Sequence, residues 1–574
     1  MNTMKILFII SYITLSLHSC YKEPAIWEGH VLREPRNQLS VEQLLEDSTF
    51  PLIDMSYFGR PDWSIEADIE FFGSLTFRDT EILYPINRAY YEGENIFPGI
   101  QIDFVSSDGE LIPIQDKFLV DHSDSNSSWN VLVGTGKVWQ EEADGSWCRA
   151  SFPLSLTDSY IGQVRNCVAT FVYKEGAVSN VYLQSSQETA DFNDQQVENM
   201  RVMLSVDYKP LDFPNADSVI EKRNRMKADR LPVYPLSTID QNKDIEAYFQ
   251  KSKYTEAPTS LGAIILDGYI YLDPPMTRQG IYPYPDEMRH AVYSVSKSMT
   301  GALAFFYLSE RYGYGLGDEL ISDYVPVLAN HPAWQGVTFL HTLNMVSGTE
   351  GSEESWHLYE ILIKARSAEE AIQNIAGLGD YPGEPGEDFN YASTNLFVLS
   401  YAMQKYVEEK EGAGISYWDM VYENVLVPIG AENFTLLHTV ESDGSKGIPM
   451  LAYGAWPTVD EVAKIALLIS LEGKYNGQQI LNRERCSEAL GRTSCKGYST
   501  NNDYRGKYYR HSFWSTDIRT GGCAVNVTYM LGYGGNYVWF FPSGAIAIRF
   551  MDEYDLDFKD LVKGVEKIRS SCNN

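Results

Sequence analysis

The periodicity of the chain changes once, and that change restricts the fold more than any single motif. From about residue 50 to 210, short stretches alternate apolar and polar residues, as in Ile65, Ala67, Ile69 and Phe71. Asp108-Gly109 and Asp144-Gly145 supply turns between extended segments such as GIQIDFV and WCRASFPL, and VATFVY (168–173) and VYLQ (181–184) continue the pattern. This predicts an all-β, sandwich-like unit. Between about 210 and 240 the alternation stops in DSVIEKRNRMKADRLPVYPLS, a charged stretch broken by Pro232 and Pro235. Beyond it, helical periods and strands mix: IDQNKDIEAYFQ, then LGAIILDGYIYL turning at Asp267-Gly268, helices around 391–410 and 458–473, and finally NYVWFFP and AIAIRF. Strands at both ends with helices between them predict an α+β unit whose antiparallel sheet joins its two termini. The expected division is a β-rich domain over 21–213, a connector over 214–237 and a second domain over 238–574.

A chain of 574 residues with 44% hydrophobic and 22% charged positions can bury two such cores. Its 46 Lys and Arg against 78 Asp and Glu leave a net charge of −32. A field of that sign repels phosphate backbones, so nucleic acid is not an expected partner.

The first twenty residues join Lys5 to an apolar run from Ile6 to Leu17, too short to span a bilayer. They read as an export signal over 1–20. The ending Leu17-His18-Ser19-Cys20 resembles a bacterial lipobox, with His18 an atypical occupant, which implies lipidation at Cys20 and a place on the cell envelope outside the cytoplasm. Membrane contact would then be through that anchor only. Six cysteines remain, and six allow fifteen connectivities; Cys148–Cys167 and Cys486–Cys495 are the local candidates. There is no C-x-x-C or H-E-x-x-H, and neither a metal nor an organic cofactor is expected.

The sharpest chemical feature is Ser294-Val295-Ser296-Lys297, followed by the apolar stretch SMTGALAFFYLSERYG. A Ser and a Lys three apart on a helix share a face, so the amine can reach the hydroxyl. Helix-end N–H groups favour a developing anion, and burial of an amine disfavours its charged form. Together these make an activated nucleophile. Alone, S-x-x-K is weak, and a second copy runs from Ser19 to Lys22. No G-x-S-x-G elbow and no P-loop competes with it.

In context, the segment from about 258 to 550 resembles the serine β-lactamase-like family: class C β-lactamases, DD-peptidases, related esterases and 6-aminohexanoate-dimer hydrolases. The resemblance is carried, in order, by LGAIILDGYIY, YSVSKSMTGALAFFYLSERYGYGLGDELISDYVPVL, GVTFLHTLNMVSGTEG, YPGEPGEDFNYASTNLFVLSYAM, YGAWPTVDEVAKIALLISLEGKYNGQQIL and GYGGNYVWFFPSGAIAIRF. It implies a β-lactamase/transpeptidase-like fold, an antiparallel sheet flanked by helices plus a helical subdomain. By the same resemblance Ser294 is the acylated nucleophile, Lys297 its base or proton relay, and Tyr391 the tyrosine of a Y-x-N or Y-x-S motif that passes protons to the leaving group. Ser393 takes the place of the commoner Asn, with one donor where an amide has two. The family's strand-borne K-T-G or H-T-G is replaced by Gly532-Tyr533-Gly534-Gly535-Asn536. Tyr533, Gly535 and Asn536 are expected to support substrate there, the glycines letting a strand come close and the N–H near Asn536 joining that of Ser294 in an oxyanion hole. The missing cation weakens the case for penicillins and D-Ala-D-Ala termini.

The reading that follows is an exported serine hydrolase that cleaves an ester or amide in a small or peptide-like substrate. An esterase or amidase fits better than a true β-lactamase. The alternative is a lipid-anchored binding or sensor protein that keeps the fold as a recognition surface. A penicillin-binding peptidase is a third reading. His290 and His341 read as structural, and Glu350, Glu353 and Glu354 as a solvated rim that could favour cationic substrates.

Overall fold

The computed structural model describes residues 36–46, 51–82, 93–118, 126–158, 162–188, 200–250 and 259–572, except 352, 354, 366, 380–382, 442, 503 and 521. The signal segment and Cys20 lie outside the described residues.

The first module is all β. Its hydrogen bonding runs through one sheet in the order Arg201–Leu204, Val181–Glu188, Val164–Lys174, Cys148–Asp158, Gly136–Gln140, Glu110–Pro113, Gln101–Ser107, Phe72–Phe77 and Val206–Pro210. The first and last strands of that order are halves of one stretch separated only by Ser205, so the sheet closes on itself. Closure removes two open edges. Strand Val164–Lys174 is buried on both faces. Cys167, Ala169, Phe171 and Tyr173 enter the core of this module. Val168 and Val172 point the other way and pack with Tyr282, Tyr284 and Met288 of the second module. That double burial explains why VATFVY reads as a continuous apolar run instead of an alternating one.

The connector is a helix, Ala216–Ala228, that ends before Pro232. It lies across the seam: Arg223 pairs with Glu110 (3.2 Å) on one side and Glu287 (2.9 Å) on the other.

In the second module we label the strands β1 (Val233–Pro235), β2 (Thr259–Leu266), β3 (Tyr269–Asp273), β4 (Tyr498–Asn502), β5 (Gly506–Arg510), β6 (Phe513–Thr520), β7 (Cys523–Gly532), β8 (Asn536–Phe540) and β9 (Ile546–Met551). Their order is β1-β3-β2-β9-β8-β7-β6-β5-β4, antiparallel throughout except β1 on β3. The pairing of β2 with β9 joins the two ends of the module, as the strand pattern predicts. β1 carries Pro235 and sits at the edge, where a missing donor is tolerated. The helices Leu303–Tyr312, Ser393–Glu411 and Val459–Ser470 bury their apolar faces in one large core with this sheet.

The cysteine pairing differs from both local candidates. The disulfide joins Cys523 to Cys572, while Cys148, Cys167 and Cys486 are buried free thiols and Cys495 is an exposed one. In the register of their strands Cys148 faces Tyr173 and Cys167 faces Leu154, so those two are held far apart. Cys572 instead follows the terminal helix Lys559–Ile568, which folds back on β6 beside the start of β7. Among the described residues no helix is long and apolar enough to cross a membrane, and no His, Cys, Asp or Glu cluster could hold a metal ion.

Candidate active site

The segment leading to Ser294 is clamped by the first module. The Asn166 side chain donates to the Arg289 carbonyl (2.8 Å) and accepts from its N–H (3.1 Å), imitating a strand partner. Arg289 in turn donates to Glu461 (2.9 Å) and the Trp456 carbonyl (3.0 Å), and Trp456 donates its indole N–H to Gly162 (3.0 Å). Ala291, Tyr293 and Trp456 pack with Leu132 and Val164 of the first module. Tyr293 then adopts φ 44°, a left-handed conformation costly for a bulky residue. The sharp reversal starts a helical run at Val295 and leaves Ser294 half-buried at its head.

Lys297 opens a π-helical stretch, Lys297–Ala302, of the kind found at functional sites. It is 1% exposed. Its Nζ lies 2.8 Å from Ser294 Oγ, 2.8 Å from Ser393 Oγ and 3.0 Å from the Ala452 carbonyl. Among the described residues no carboxylate is within ion-pair range of it. Neighbouring serines fix the helix around this amine: Ser296 Oγ accepts from Ala455 N–H (3.2 Å), and Ser298 Oγ donates to the Ser512 carbonyl (2.5 Å). The Ser294 N–H donates to no acceptor among the described residues.

Tyr391 and Ser393 reach Lys297 from the start of the helix Ser393–Glu411. Lys297 Nζ sits over the Tyr391 ring, 5.0 Å from its centroid. Phe389, Tyr509 and Trp514 wall that ring at 6.4, 6.0 and 5.4 Å. The Tyr391 hydroxyl makes no hydrogen bond among the described residues. Ser393, 2% exposed, donates its hydroxyl to Glu353 Oε2 (3.0 Å), and its N–H donates to Oε1 of the same carboxylate. A carboxylate at a helix N-terminus is favoured by the unpaired N–H groups there. Gly351 makes this contact possible. A Cβ on it would lie 2.3 Å from Thr394 Oγ1 and 2.8 Å from Ala392 Cβ, so only glycine lets the loop lie this close to the helix start.

Glu353 is therefore part of the site and not of a solvated rim. Sequence reasoning missed that role because Glu353 and Ser393 are 40 residues apart and no spacing rule links a loop to a distant helix start. The one available signal was the glycine two residues before it. Glu354 lies outside the described residues, and Glu350 N–H bonds Gly379 (3.2 Å) on the neighbouring loop. His290 is wholly buried against Phe550 (5.1 Å), and burial pushes it down to about 3, which leaves it neutral and structural. His341 closes a capping box with Thr338.

The third motif differs from expectation. Tyr533–Gly535 form a tight turn joining β7 to β8, so the glycines lie in a turn and not within a strand. Gly532 does allow a close approach, but to the segment that leads to Ser294: a Cβ there would lie 2.2 Å from the Val292 carbonyl. Gly535, at φ 95°, faces Asp555, whose carbonyl would be 1.9 Å from an added Cβ. Asn536 is completely buried. It donates to Ala291 (3.2 Å) and Tyr533 (2.9 Å) carbonyls and accepts from Met551 N–H (2.8 Å). Its side-chain amide holds backbone on three sides. Tyr533 is 41% exposed and stacks edge-on with Tyr293 (5.7 Å) and Tyr554 (5.5 Å), which puts it beside the residue that precedes Ser294.

The model of the family described as Beta-lactamase matches residues 262–551, half of the chain, and spans Ser294, Lys297, Glu353, Tyr391, Ser393 and Asn536. The chain belongs to the β-lactamase family, a family of serine hydrolases. Solved structures similar to it include a putative 6-aminohexanoate-dimer hydrolase from Bacillus anthracis (16% identity, 54% of this chain and 78% of that one, TM-score 0.41). Also similar are a penicillin binding protein from Bacillus halodurans (16%, 58% and 98%, TM-score 0.41) and a family VIII carboxylesterase (15%, 58% and 97%, TM-score 0.43). No curated protein matches the chain.

Proposed function

We propose that this β-lactamase-family protein hydrolyses an ester or amide through an acyl-enzyme on Ser294. The observation that carries the reading is the buried Lys297 amine 2.8 Å from Ser294 Oγ, with its other two contacts to oxygens. Ser294 Oγ attacks the carbonyl carbon while its proton passes to the Lys297 lone pair. The carbonyl π pair moves onto oxygen, and the unspent Ser294 N–H is placed to receive that charge. The C–O or C–N bond then breaks, and the leaving group takes the proton that Lys297 accepted, with the Tyr391 hydroxyl relaying it once the bound leaving group bridges the two. Water adds to the acyl carbon and gives up a proton to Lys297, which returns it to Ser294 Oγ as the acyl bond breaks. Without a cation in the third motif, a substrate carboxylate has no partner there, which favours a neutral ester or amide.

A fluorophosphonate probe tests this. Ser294 displaces fluoride from phosphorus, so the wild type should label at Ser294 and Ser294→Ala should not label. Equal labelling of both, or labelling mapped to another serine, overturns the mechanism. The same proposal places the protein on the cell envelope through lipid on Cys20, and the Cys523–Cys572 disulfide supports an oxidising compartment. Metabolic labelling with an alkyne fatty acid should be lost in Cys20→Ala; retention would refute the anchor.

A further inference from the structure

Ser393 departs from the amide residue common in its family, and Glu353 supplies what the departure removes. We infer that Glu353 is a positioning residue that makes Ser393 an obligate hydrogen-bond acceptor and so aims the Lys297 lone pair at Ser294. The inference rests on the acyl-enzyme reading above and adds a residue that reading does not need.

The argument is one of donor and acceptor direction. A hydroxyl has one proton and two lone pairs, and a neutral amine has two N–H bonds and one lone pair. Three oxygens surround Lys297 Nζ: Ser294 Oγ, Ser393 Oγ and the Ala452 carbonyl. The carbonyl can only accept, so it takes one N–H. If Ser393 also only accepts, it takes the second, and the lone pair has a single direction left, toward the Ser294 proton. If Ser393 is free to donate, its proton competes for that lone pair and the amine turns away from the nucleophile.

Glu353 removes the competition. Its Oε2 takes the Ser393 hydroxyl proton (3.0 Å), and its Oε1 takes the Ser393 N–H, so the carboxylate cannot swing away from one bond without straining the other. An ionised carboxylate is acceptor-only, which fixes the sense of the chain from Lys297 through Ser393 to Glu353. An asparagine at 393 would need no such help, because its carbonyl oxygen accepts whatever lies behind it.

Glu353→Gln reverses the sense. With Gln Oε1 on the Ser393 N–H, the amide nitrogen faces Ser393 Oγ and donates to it, turning the serine proton back toward Lys297. Second-order fluorophosphonate labelling at Ser294 is the readout, since the small probe does not depend on substrate contacts. Glu353→Gln should label about tenfold or more slower, part of the 10²–10⁴ that a positioned base contributes. In the Ser393→Asn background the same substitution should cost less than about threefold, because the asparagine amide can donate to Gln Oε1 while its carbonyl still accepts from Lys297. Ser393→Ala, which deletes the relay hydroxyl but keeps the N–H bond to Glu353, should be slowed about as much as Glu353→Gln. This variant decides the case if Glu353→Gln does not fold.

Wild-type rates in Glu353→Gln or in Ser393→Ala overturn the inference, as does an equal loss in the Ser393→Asn background. In each of those outcomes Ser294 still labels in the wild type, so the acyl-enzyme reading survives. If the wild type does not label at Ser294, the acyl-enzyme reading falls first and takes this inference with it.

Discussion

The two walls that meet at Ser294 use their polar atoms differently. On the Lys297 wall, amine, hydroxyls and carboxylate are bonded to one another, and each bond has a sense that matters for moving a proton. On the Asn536 wall, the amide is bonded to backbone on three sides: Ala291 before the nucleophile, Tyr533 in the turn and Met551 on β9. Lys297, Ser393 and Asn536 are all buried, at 1%, 2% and 0% exposure. The difference teaches that burial and hydrogen bonding alone do not mark a chemical residue. What separates the walls is that only the first is hydrogen-bonded to the Ser294 oxygen, the atom the proposed mechanism makes the nucleophile.

The strongest way to break this comparison is Lys297→Met. Methionine fills a similar channel without an amine, so the folded state should persist while acylation slows by about 10²–10⁴. Labelling rate beside a thermal melt checks both halves. A methionine variant that labels at the wild-type rate would show that the Lys297 wall is also mere scaffolding. The opposite pattern is expected of Asn536→Ala. It strands two carbonyls and one N–H in a dry interior, at about 3 kcal/mol in stability, while each molecule that remains folded should label within a few fold of wild type. Urea unfolding midpoints measured with labelling of the folded fraction separate the two. An Asn536→Ala protein of full stability but lost activity would put the side-chain amide among the catalytic groups.

How much of this was readable from the sequence follows the same division. The S-x-x-K pair was legible because both members lie within one turn, where spacing fixes geometry. The β2–β9 pairing was legible because alternating strands at both ends of a module have few other ways to be buried. The framing role of the Asn536 side chain was not legible because a glycine-flanked polar residue late in the chain fits a strand and a tight hairpin turn equally well. Only the approach of Gly532 to Val292 and of Gly535 to Asp555 decides between them. Glu353 was misread because its partner comes from tertiary folding. The Cys523–Cys572 bond was missed for that reason too, as the terminal helix that returns Cys572 to β7 leaves no mark on cysteine spacing.

The smallest effect expected, and the one that sharpens the comparison most, is that of Tyr391→Phe. Tyr391 belongs to the Lys297 wall by position, yet its contacts are made by the ring: Lys297 over its face, with Phe389, Tyr509 and Trp514 around it. Phenylalanine keeps all of these, and no hydroxyl bond among the described residues is lost, so stability should change by no more than about 0.5 kcal/mol. Fluoride leaves without needing a proton, so fluorophosphonate labelling should stay within about threefold of wild type. An anilide leaving group does need one, and its hydrolysis should fall by about 10². A loss that grows as the leaving group becomes more basic identifies the hydroxyl as a proton donor. A uniform loss across probes would mean that the phenol acts on Lys297 itself, and no loss with any probe would assign Tyr391, like Asn536, to the frame that holds the nucleophile in place.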